Sequence, residues 1–360
     1  MSAARPAAMI GGTVDVATNA AFDETKLAAY LAGHLPEFAS PMRVQQFEGG
    51  QSNPTFLIST PDRRYVLRRK PAGVLLKSAH AVDREYRITR ALFGAGLPIA
   101  EPLLLCEDED VIGSMFYVMR HVPGRSFWDP RMPGRAPEER AAIYDSANET
   151  LARLHLVDYE ALGLGDYGRP GNYFARQISR WSRQYEASRT IDIPEMEQLM
   201  AWLPGAIPET DERNTIIHGD YSFHNLLIHP TEPRVSAVID WELSTLGDPL
   251  GDLTYHMMEW FRPEGVDVRG TLCGADLAAL GIPTAEDYAR RYRERTGFRC
   301  DPTHPFYGAF NLFRVAAILQ GIAGRARDGV QTATNARDIV TRIEPLAKAA
   351  WMAAQEAGAA

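Results

Sequence analysis

Three oxygen-bearing side chains stand in an order and spacing that suit phosphoryl transfer. Asp220 follows an apolar run, Asn225 comes five residues later, and Asp240 ends a second apolar run. The reaction needs one carboxylate to accept or orient the proton of the attacking hydroxyl, and hard oxygen ligands to hold Mg²⁺ against the β- and γ-phosphates. The pattern therefore predicts Asp220 as the catalytic base, and Asn225 and Asp240 as ligands of a Mg²⁺ ion.

These residues belong to a longer motif, with His-Gly-Asp at 218–220 and Ile-Asp-Trp at 239–241. Protein kinases share the spacing, but here Gly219 replaces the middle Arg of their catalytic loop, and Trp241-Glu242 replace the Phe-Gly of their metal motif. The motif resembles that of the aminoglycoside phosphotransferase and choline kinase superfamily. Over residues 47–327, the resemblance implies a bilobal protein-kinase-like fold and a small-molecule kinase that uses ATP and Mg²⁺.

Five strings resemble, more narrowly, the kinase-like domain that is fused to, or encoded beside, acyl-CoA dehydrogenases. They lie at 47–55, 65–71, 83–86, 177–185 and 313–321. This resemblance implies an acceptor that is a hydroxylated acyl compound, such as a 4-hydroxyacyl-CoA. Two alternatives stay open. One is a kinase for an aminoglycoside, an amino alcohol or a sugar, and the other is a non-catalytic nucleotide-binding scaffold, which would have no chemical need for the three residues above.

An arginine and a glutamate further upstream are expected to hold the nucleotide. Arg68 stands where kinases have the phosphate-binding Lys of Val-Ala-Ile-Lys, and a guanidinium can bind two phosphate oxygens at once. Glu85, on a predicted helix, is its expected ion-pair partner, with Asp83 as the rival. The period of a strand places Arg69 on the opposite face from Arg68. The competing interpretation of Arg68 is a solvated basic strand end.

Two further segments are predicted to contact the nucleotide. The loop between the first two predicted strands carries backbone amides and small side chains that suit covering phosphates, at Gly50, Gln51, Ser52 and Asn53. It lacks a full Gly-x-Gly-x-x-Gly or Walker spacing, so the loop alone does not identify a nucleotide site. At the predicted lobe junction, backbone groups of Arg120 and Val122 could read the adenine edge.

Three polar residues near the catalytic motif are predicted to shape it rather than to react. His218 is expected to pack and to hydrogen-bond within the loop. Asp248 is expected to accept hydrogen bonds from backbone amides of the catalytic loop, and Asp252 to cap the N-terminus of the following helix.

Arginines on two predicted helices are candidates for binding the acceptor. Arg180 lies beside Trp181 on one helix, and Arg314 lies on a later one. If they converge, they would suit the phosphate of CoA or an acyl carboxylate, whereas a polycationic aminoglycoside would need an acidic cleft. The competing interpretation is that the arginines are solvated or paired and that Trp181 belongs to the core.

The strand and helix patterns predict an α+β protein with two lobes. The first third contains five short strands and one helix, and from Glu138 the chain is mainly helical, with a short β region at 215–239. We predict a disordered lead-in at 1–22, a nucleotide-binding N-lobe at 23–121, and a catalytic and acceptor-binding C-lobe at 122–360.

The composition narrows the class of protein. The net charge of −8 over 360 residues argues against an extended contact with nucleic acid or an anionic membrane. The three cysteines are far apart, which fits neither a disulfide framework nor a zinc site. The apolar stretch at 306–323 is interrupted by Asn311, Arg314 and Gln320, so we expect a buried helix rather than a membrane span. We expect a cytoplasmic protein that binds a small molecule; monomer and homodimer both stay open.

Overall fold

The computed structural model describes residues 12–16, 20–47, 53–71, 81–209, 213–266, 269–327 and 336–359, apart from the side chains of 336–338. The predicted loop residues Gly50, Gln51 and Ser52 lie outside this range, as does much of the predicted lead-in. The chain divides into two compact units, each built from separate stretches. The first contains Met1–Phe127, Glu160–Leu164 and Phe223–Ser244; the second contains Trp128–Tyr159, Gly165–Ser222 and Thr245–Ala360.

An antiparallel sheet of six strands forms the centre of the first unit, in the order β1-β2-β3-β4-β6-β5. Its strands are β1 (Thr13–Val14), β2 (Arg43–Phe47), β3 (Thr55–Ser59), β4 (Arg64–Arg69), β5 (Pro102–Cys106) and β6 (Phe116–Arg120). Strand β1 lies in the segment predicted to be a disordered lead-in, and that prediction is wrong there. The edge of β2 provides backbone partners for it, pairing Thr13 with Phe47 and Val14 with Gln46.

The alternation along β4 decides which side chains face the core. Tyr65, Leu67 and Arg69 are buried on one face, whereas Arg68 lies on the other. The Arg69 guanidinium lies 5.6 Å from the centroid of the Phe56 ring, and such a cation–π contact favours burial of its charge. The two neighbouring arginines thus point to opposite faces, as the strand period predicts.

Two helices accompany this sheet. Helix α1 (Glu24–His34) begins where the Asp23 carboxylate accepts from the backbone N–H groups of Thr25 and Lys26, and its Leu27 and Leu31 belong to the sheet's core. Helix α2 (Val82–Gly94) carries Glu85 on a buried face. The chain leaves α2 through Gly96, whose φ of 77° is accessible to glycine without strain.

A hairpin from the middle of the chain also belongs to the first unit. It consists of β8 (Leu226–Ile228) and β9 (Val235–Val238), which pair antiparallel. The Val238 N–H donates to the Pro98 carbonyl at 2.8 Å, and Arg125 and Ile228 exchange two backbone hydrogen bonds of 2.8 Å. Because of these bonds, Phe223–Ser244 groups with the first unit, although the sequence prediction gave that stretch to the C-lobe.

The second unit is mainly helical. Its helices are α3 (Pro137–His155), α4 (Tyr173–Ser188), α5 (Pro194–Trp202), α6 (Leu250–Phe261), α7 (Leu277–Leu280), α8 (Ala285–Thr296), α9 (Pro305–Arg327) and α10 (Ala336–Glu356), with an antiparallel pair β7 (Thr215–Ile217) and β10 (Thr245–Gly247). Helix α9 packs against α4, α6 and α10. Within the described part of the chain, it alone is long and apolar enough to cross a membrane, but 83% of its apolar window is buried inside the fold, as in a core helix.

The α+β prediction is confirmed, with a strand-rich first unit and a helix-rich second unit. Most predicted elements agree with the structure to within a few residues. In addition to β1, the sequence pattern missed β10 and α7. Both are short, and three or four residues carry too little periodicity to stand out.

Candidate active site

Arg68 is the centre of an ionic cluster in the first unit. Its Nε lies 3.0 Å from Glu85 Oε2, and its Nη2 lies 2.7 Å from Asp240 Oδ1 and 3.3 Å from Glu242 Oε2. The expected partner of Arg68 is therefore Glu85 and not Asp83. One guanidinium thus joins strand β4, helix α2 and the turn after β9.

Glu85 receives two further hydrogen bonds, so its orientation is fixed. The Asn53 amide donates to Oε1 at 2.8 Å, and the Tyr117 hydroxyl donates to Oε2 at 3.2 Å. Burial raises the pKa of Glu85 to about 7; Arg68 opposes this rise, and the carboxylates of Asp240 and Glu242 add to it. Sequence reasoning missed Tyr117, although the register of β4 and β6 pairs it directly with Arg68.

The cluster holds one guanidinium among three carboxylates. Burial acts to lower the pKa of Arg68, but the charges of Asp240, Glu85 and Glu242 outweigh it, so the pKa is raised. This excess of carboxylates over guanidinium groups leaves the cluster suited to a further cation. The Asp240 side chain is 36% exposed, so its oxygens can be reached.

The two predicted metal ligands flank one hairpin, Asn225 before its first strand and Asp240 after its second. Asn225 ends the short helical turn Phe223–Asn225 just before β8, and its carbonyl accepts from the Ile239 N–H at 3.0 Å. Asp240 follows β9 with a φ of 66°, a left-handed conformation that is uncommon for residues other than glycine and often marks functional positions.

The donor set fits Mg²⁺. Among the described residues, no group of three or more His, Cys, Asp and Glu side chains could hold a metal ion by itself. Mg²⁺ in kinases is held by one or two protein side chains together with substrate phosphates and water, and not by an all-protein cage. One carboxylate and one amide oxygen from Asp240 and Asn225 would satisfy that requirement.

Arg120 is engaged in the sheet. Its guanidinium pairs with Glu37 at 2.8 Å and with Glu101 at 2.6 Å, and its backbone N–H donates to the Glu101 carbonyl at 2.8 Å. That N–H is therefore not free for an adenine ring. The prediction of an adenine contact now rests on the Arg120 carbonyl and the backbone of Val122.

The catalytic loop lies in the second unit, where Asp252 holds its backbone. The Asp252 carboxylate accepts from the N–H of His218 at 2.6 Å and from the N–H of Gly219 at 2.8 Å. Asp248 instead accepts from the N–H of Leu250, the first residue of α6, at 2.8 Å. The roles predicted for the two aspartates are thus exchanged. Asp252 lies in the first turn of α6, and its carboxylate faces the loop and not the helix end.

The remaining loop contacts involve two histidines. The Asp220 N–H donates to His218 Nδ1 at 3.1 Å, the kind of contact that a loop-shaping role requires. His155 was missed from the sequence: its Nε2 lies 3.4 Å from Asp252 Oδ2, and its Nδ1 lies 2.7 Å from the Tyr292 hydroxyl. A histidine at the C-terminal end of a helix gives no signal of such a contact.

The three predicted acceptor residues come together in the second unit. The guanidinium carbons of Arg180 and Arg314 lie 4.9 Å and 5.6 Å from the Trp181 ring centroid. Trp181 is buried, Arg180 is exposed, and Arg314 is only 3% exposed. Arg180 is nonetheless partly desolvated by its neighbours, and this desolvation and then the charge of Arg314 lower its pKa. The accessible cation of this cluster is therefore Arg180.

The structure does not bring all predicted catalytic groups into one unit. Asp220 belongs to the second unit, whereas Asn225, Asp240, Arg68 and Glu85 belong to the first. Within the first unit, Arg68, Glu85, Asn53 and Asp240 form one connected cluster. The meeting of Asp220 with the metal ligands stays a prediction.

A model of the phosphotransferase enzyme family, APH, matches residues 43–294. The chain belongs to this family. This membership identifies the chain as a small-molecule kinase, which the catalytic motif also predicts.

The strand-rich and helix-rich units of this chain also agree with solved structures of the family. A Ralstonia eutropha protein provisionally named an aminoglycoside phosphotransferase is 49% identical, with a TM-score of 0.83 over 93% of this chain and 99% of that one. The aminoglycoside phosphotransferase APH(4)-Ia, solved with AMP-PNP and hygromycin B, shares the fold at 19% identity and a TM-score of 0.59, covering 91% of this chain and 99% of that one.

Curated relatives carry the name of another enzyme. The mouse acyl-CoA dehydrogenase family member 10 is 42% identical over 97% of this chain, and the chicken family member 11 is 43% identical over 94% of it. The chain spans only 33% and 44% of the length of these two relatives. It therefore corresponds to a part of each, and the resemblance to a kinase-like domain associated with acyl-CoA dehydrogenases is confirmed.

Proposed function

We propose that this APH-family protein transfers the γ-phosphoryl group of ATP to a hydroxyl of an anionic acyl compound, with a hydroxyacyl-CoA as the preferred class. The observation that carries the kinase part is the ionic cluster in which Arg68 joins Glu85 and Asp240. A non-catalytic scaffold would need neither a phosphate-binding guanidinium bonded to a metal-binding carboxylate nor a separate base in a loop held by buried hydrogen bonds.

Each residue has a defined role in this proposal. Asp220 orients the acceptor hydroxyl and takes its proton, and Arg68, fixed by Glu85, binds phosphate oxygens. Asp240 and Asn225 would hold Mg²⁺, and a bound Mg²⁺ would supply positive charge against the phosphates. The backbone bonds from Asp252 keep the base in place while the side chains around Arg68 exchange partners.

Charge near Trp181 supports an anionic acceptor. Arg180 is exposed and, among the residues that the structure describes, is not paired with a carboxylate; its contact is with the Trp181 ring. An exposed arginine on an aromatic face suits a phosphate or a carboxylate, and it disfavours a polycation. The names of the curated relatives point to acyl-CoA chemistry in the same direction.

An acceptor panel tests the proposal. Purified protein with ATP and Mg²⁺ is given a 4-hydroxyacyl-CoA, the free 4-hydroxy acid and an aminoglycoside, and ADP release and phosphorylated product are measured. We expect product with the CoA ester and little with the aminoglycoside. Product from the aminoglycoside alone would overturn the acyl assignment, and nucleotide binding without turnover on any acceptor would favour the scaffold.

A further inference from the structure

The peptide bond that leads into Asp220 is held from several sides. Gly219 has a φ of 85°, a conformation that glycine adopts freely. Its N–H donates to the Asp252 carboxylate at 2.8 Å, and its carbonyl accepts a hydrogen bond from Arg314 Nη2. The next N–H, that of Asp220, is bonded to His218. Helices α6 and α9 thus hold opposite ends of one glycine residue.

Arg314 is enclosed where it makes this contact. Its side chain is 3% exposed, and its guanidinium carbon lies 4.7 Å from the Tyr255 ring centroid and 5.6 Å from that of Trp181. A buried guanidinium is costly unless its surroundings compensate the charge. Two aromatic faces and a backbone carbonyl compensate part of this cost here. An acceptor anion would have to reach a group that is almost fully covered.

Tyr255 connects the same cluster to the base itself. It lies on α6 one turn after Asp252, and it is buried. Burial, and then the charge of Asp220 and a hydrogen bond between the two side chains, raise the pKa of Tyr255. The arginine that supports the loop therefore also packs on a ring whose pKa responds to the charge of Asp220.

We propose that Arg314 is a positioning residue for Asp220, acting through the Gly219 carbonyl and the Tyr255 ring, and not an acceptor-binding residue. This inference rests on the proposed kinase function. Without Arg314, the buried carbonyl of Gly219 loses its donor, and the loop relaxes toward another backbone conformation. A displacement of about 1 Å of a catalytic group costs on the order of 100-fold in rate.

The test compares Arg314→Met with Arg183→Met, a change at an exposed arginine of α4 that the proposal leaves outside the site. The first readout is slow ATP hydrolysis without any acceptor, in which water replaces the hydroxyl. We expect Arg314→Met to lower kcat roughly 10- to 100-fold while the KM for ATP changes less than about twofold. Arg183→Met should match the wild type.

The second readout is amide hydrogen exchange of a peptide covering 216–222, which needs no activity. We expect faster exchange in Arg314→Met and wild-type exchange in Arg183→Met. Arg314→Lys, which keeps the charge and one donor, should lie between the wild type and Arg314→Met and serves if the methionine variant does not fold. Unchanged exchange and unchanged hydrolysis, or an effect confined to the KM of anionic acceptors, would overturn the positioning role. Wild-type protein that shows no turnover on any acceptor would contradict the kinase proposal instead, and the exchange experiment would still decide the role of Arg314.

Discussion

The two parts of the candidate site are built from different kinds of contact. Around Arg68, charged side chains bond to one another, and two of the carboxylates stay partly exposed, Asp240 at 36% and Glu242 at 25%. Around Asp220, a buried carboxylate and a buried guanidinium hold backbone groups of a single loop. Side-chain ion pairs can be exchanged for a phosphate or a metal ion at little cost in folding. Buried hydrogen bonds to the backbone cannot be exchanged in this way, so a base that they hold stays in place.

This difference suggests that one region binds the nucleotide and the other positions the base. The partners of a nucleotide must release their existing contacts when it binds, so an ionic cluster with access to solvent suits them. A general base must lie within hydrogen-bond reach of the hydroxyl, and a rigid loop provides that distance. Substitutions in the two regions should therefore affect different measured quantities.

The largest effect is expected from Asp220→Asn. The amide cannot accept the proton of the hydroxyl, and general-base catalysis is worth about 10²–10⁴-fold, so kcat should fall by about 10³-fold or more. The affinity for ATP should stay close to that of the wild type, because Asp220 belongs to the loop and not to the ionic cluster. Steady-state kinetics and ATP titration measure both quantities. Near-normal turnover in this variant would show that another group is the base.

Asp252→Asn should affect activity and folding together. Asn has nearly the same shape as Asp, but its single amide oxygen can accept from only one of the two loop N–H groups. Its NH₂ group then faces the other N–H, which loses its acceptor. A buried unsatisfied group costs about 1–3 kcal/mol, so we expect a loss of stability of that order and a fall in kcat. Urea unfolding and kinetics would be compared with Asp248→Asn, whose contact lies at the start of α6. A variant with lower kcat and unchanged stability would contradict the loop-holding role.

Asp240→Ala should show the opposite pattern. Arg68 keeps Glu85 and Glu242 as partners, and Asp240 is partly exposed, so the melting temperature should change little. Loss of a metal ligand should weaken Mg²⁺-dependent nucleotide binding at least about tenfold. Calorimetric titration with ATP in the presence and absence of Mg²⁺ measures this. If binding were unchanged while the protein lost stability, the exchangeable character of the cluster would be refuted.

The sequence indicates the candidate reactive residues more clearly than the residues that hold them in place. Asp220, Asn225 and Asp240 stand out by spacing alone, and the strand period separates Arg68 from Arg69. The exchange of roles between Asp248 and Asp252 could not be predicted, because it depends on how α6 packs beside the loop. The contacts of Tyr117 and Asn53 with Glu85 depend on strand register and on the placement of α2.

Arg314 illustrates a signal whose protein partner the sequence does not identify. It interrupts the longest apolar stretch of the chain, and a charge inside a buried helix requires a partner. The sequence analysis assigned that partner to a ligand. In the structure it is the Gly219 carbonyl, and only tertiary packing could identify a backbone group that is 95 residues away.

The smallest effect at neutral pH concerns His256, which lies on α6 beneath the loop residue Tyr221, with ring centroids 5.5 Å apart. Burial lowers its pKa to about 4 from the usual 6.5. Between these values the unfolded chain binds a proton that the native protein does not, so stability is lost as the pH falls from 6.5 to 4. A shift of this size corresponds to about 3 kcal/mol.

The ring centroids of His256 and Tyr288 lie 5.3 Å apart. His256→Phe keeps an aromatic ring against Tyr288 and removes the titratable imidazole. We expect the wild type to lose stability between pH 6.5 and pH 4 more steeply than this variant, with the two curves parallel above pH 7. Urea unfolding across this pH range gives the comparison. The acid sensitivity would then belong to the buried region that supports the loop, because the ionic cluster is the same in both proteins. Parallel curves throughout would show that His256 titrates normally and that the region below the loop is open to water.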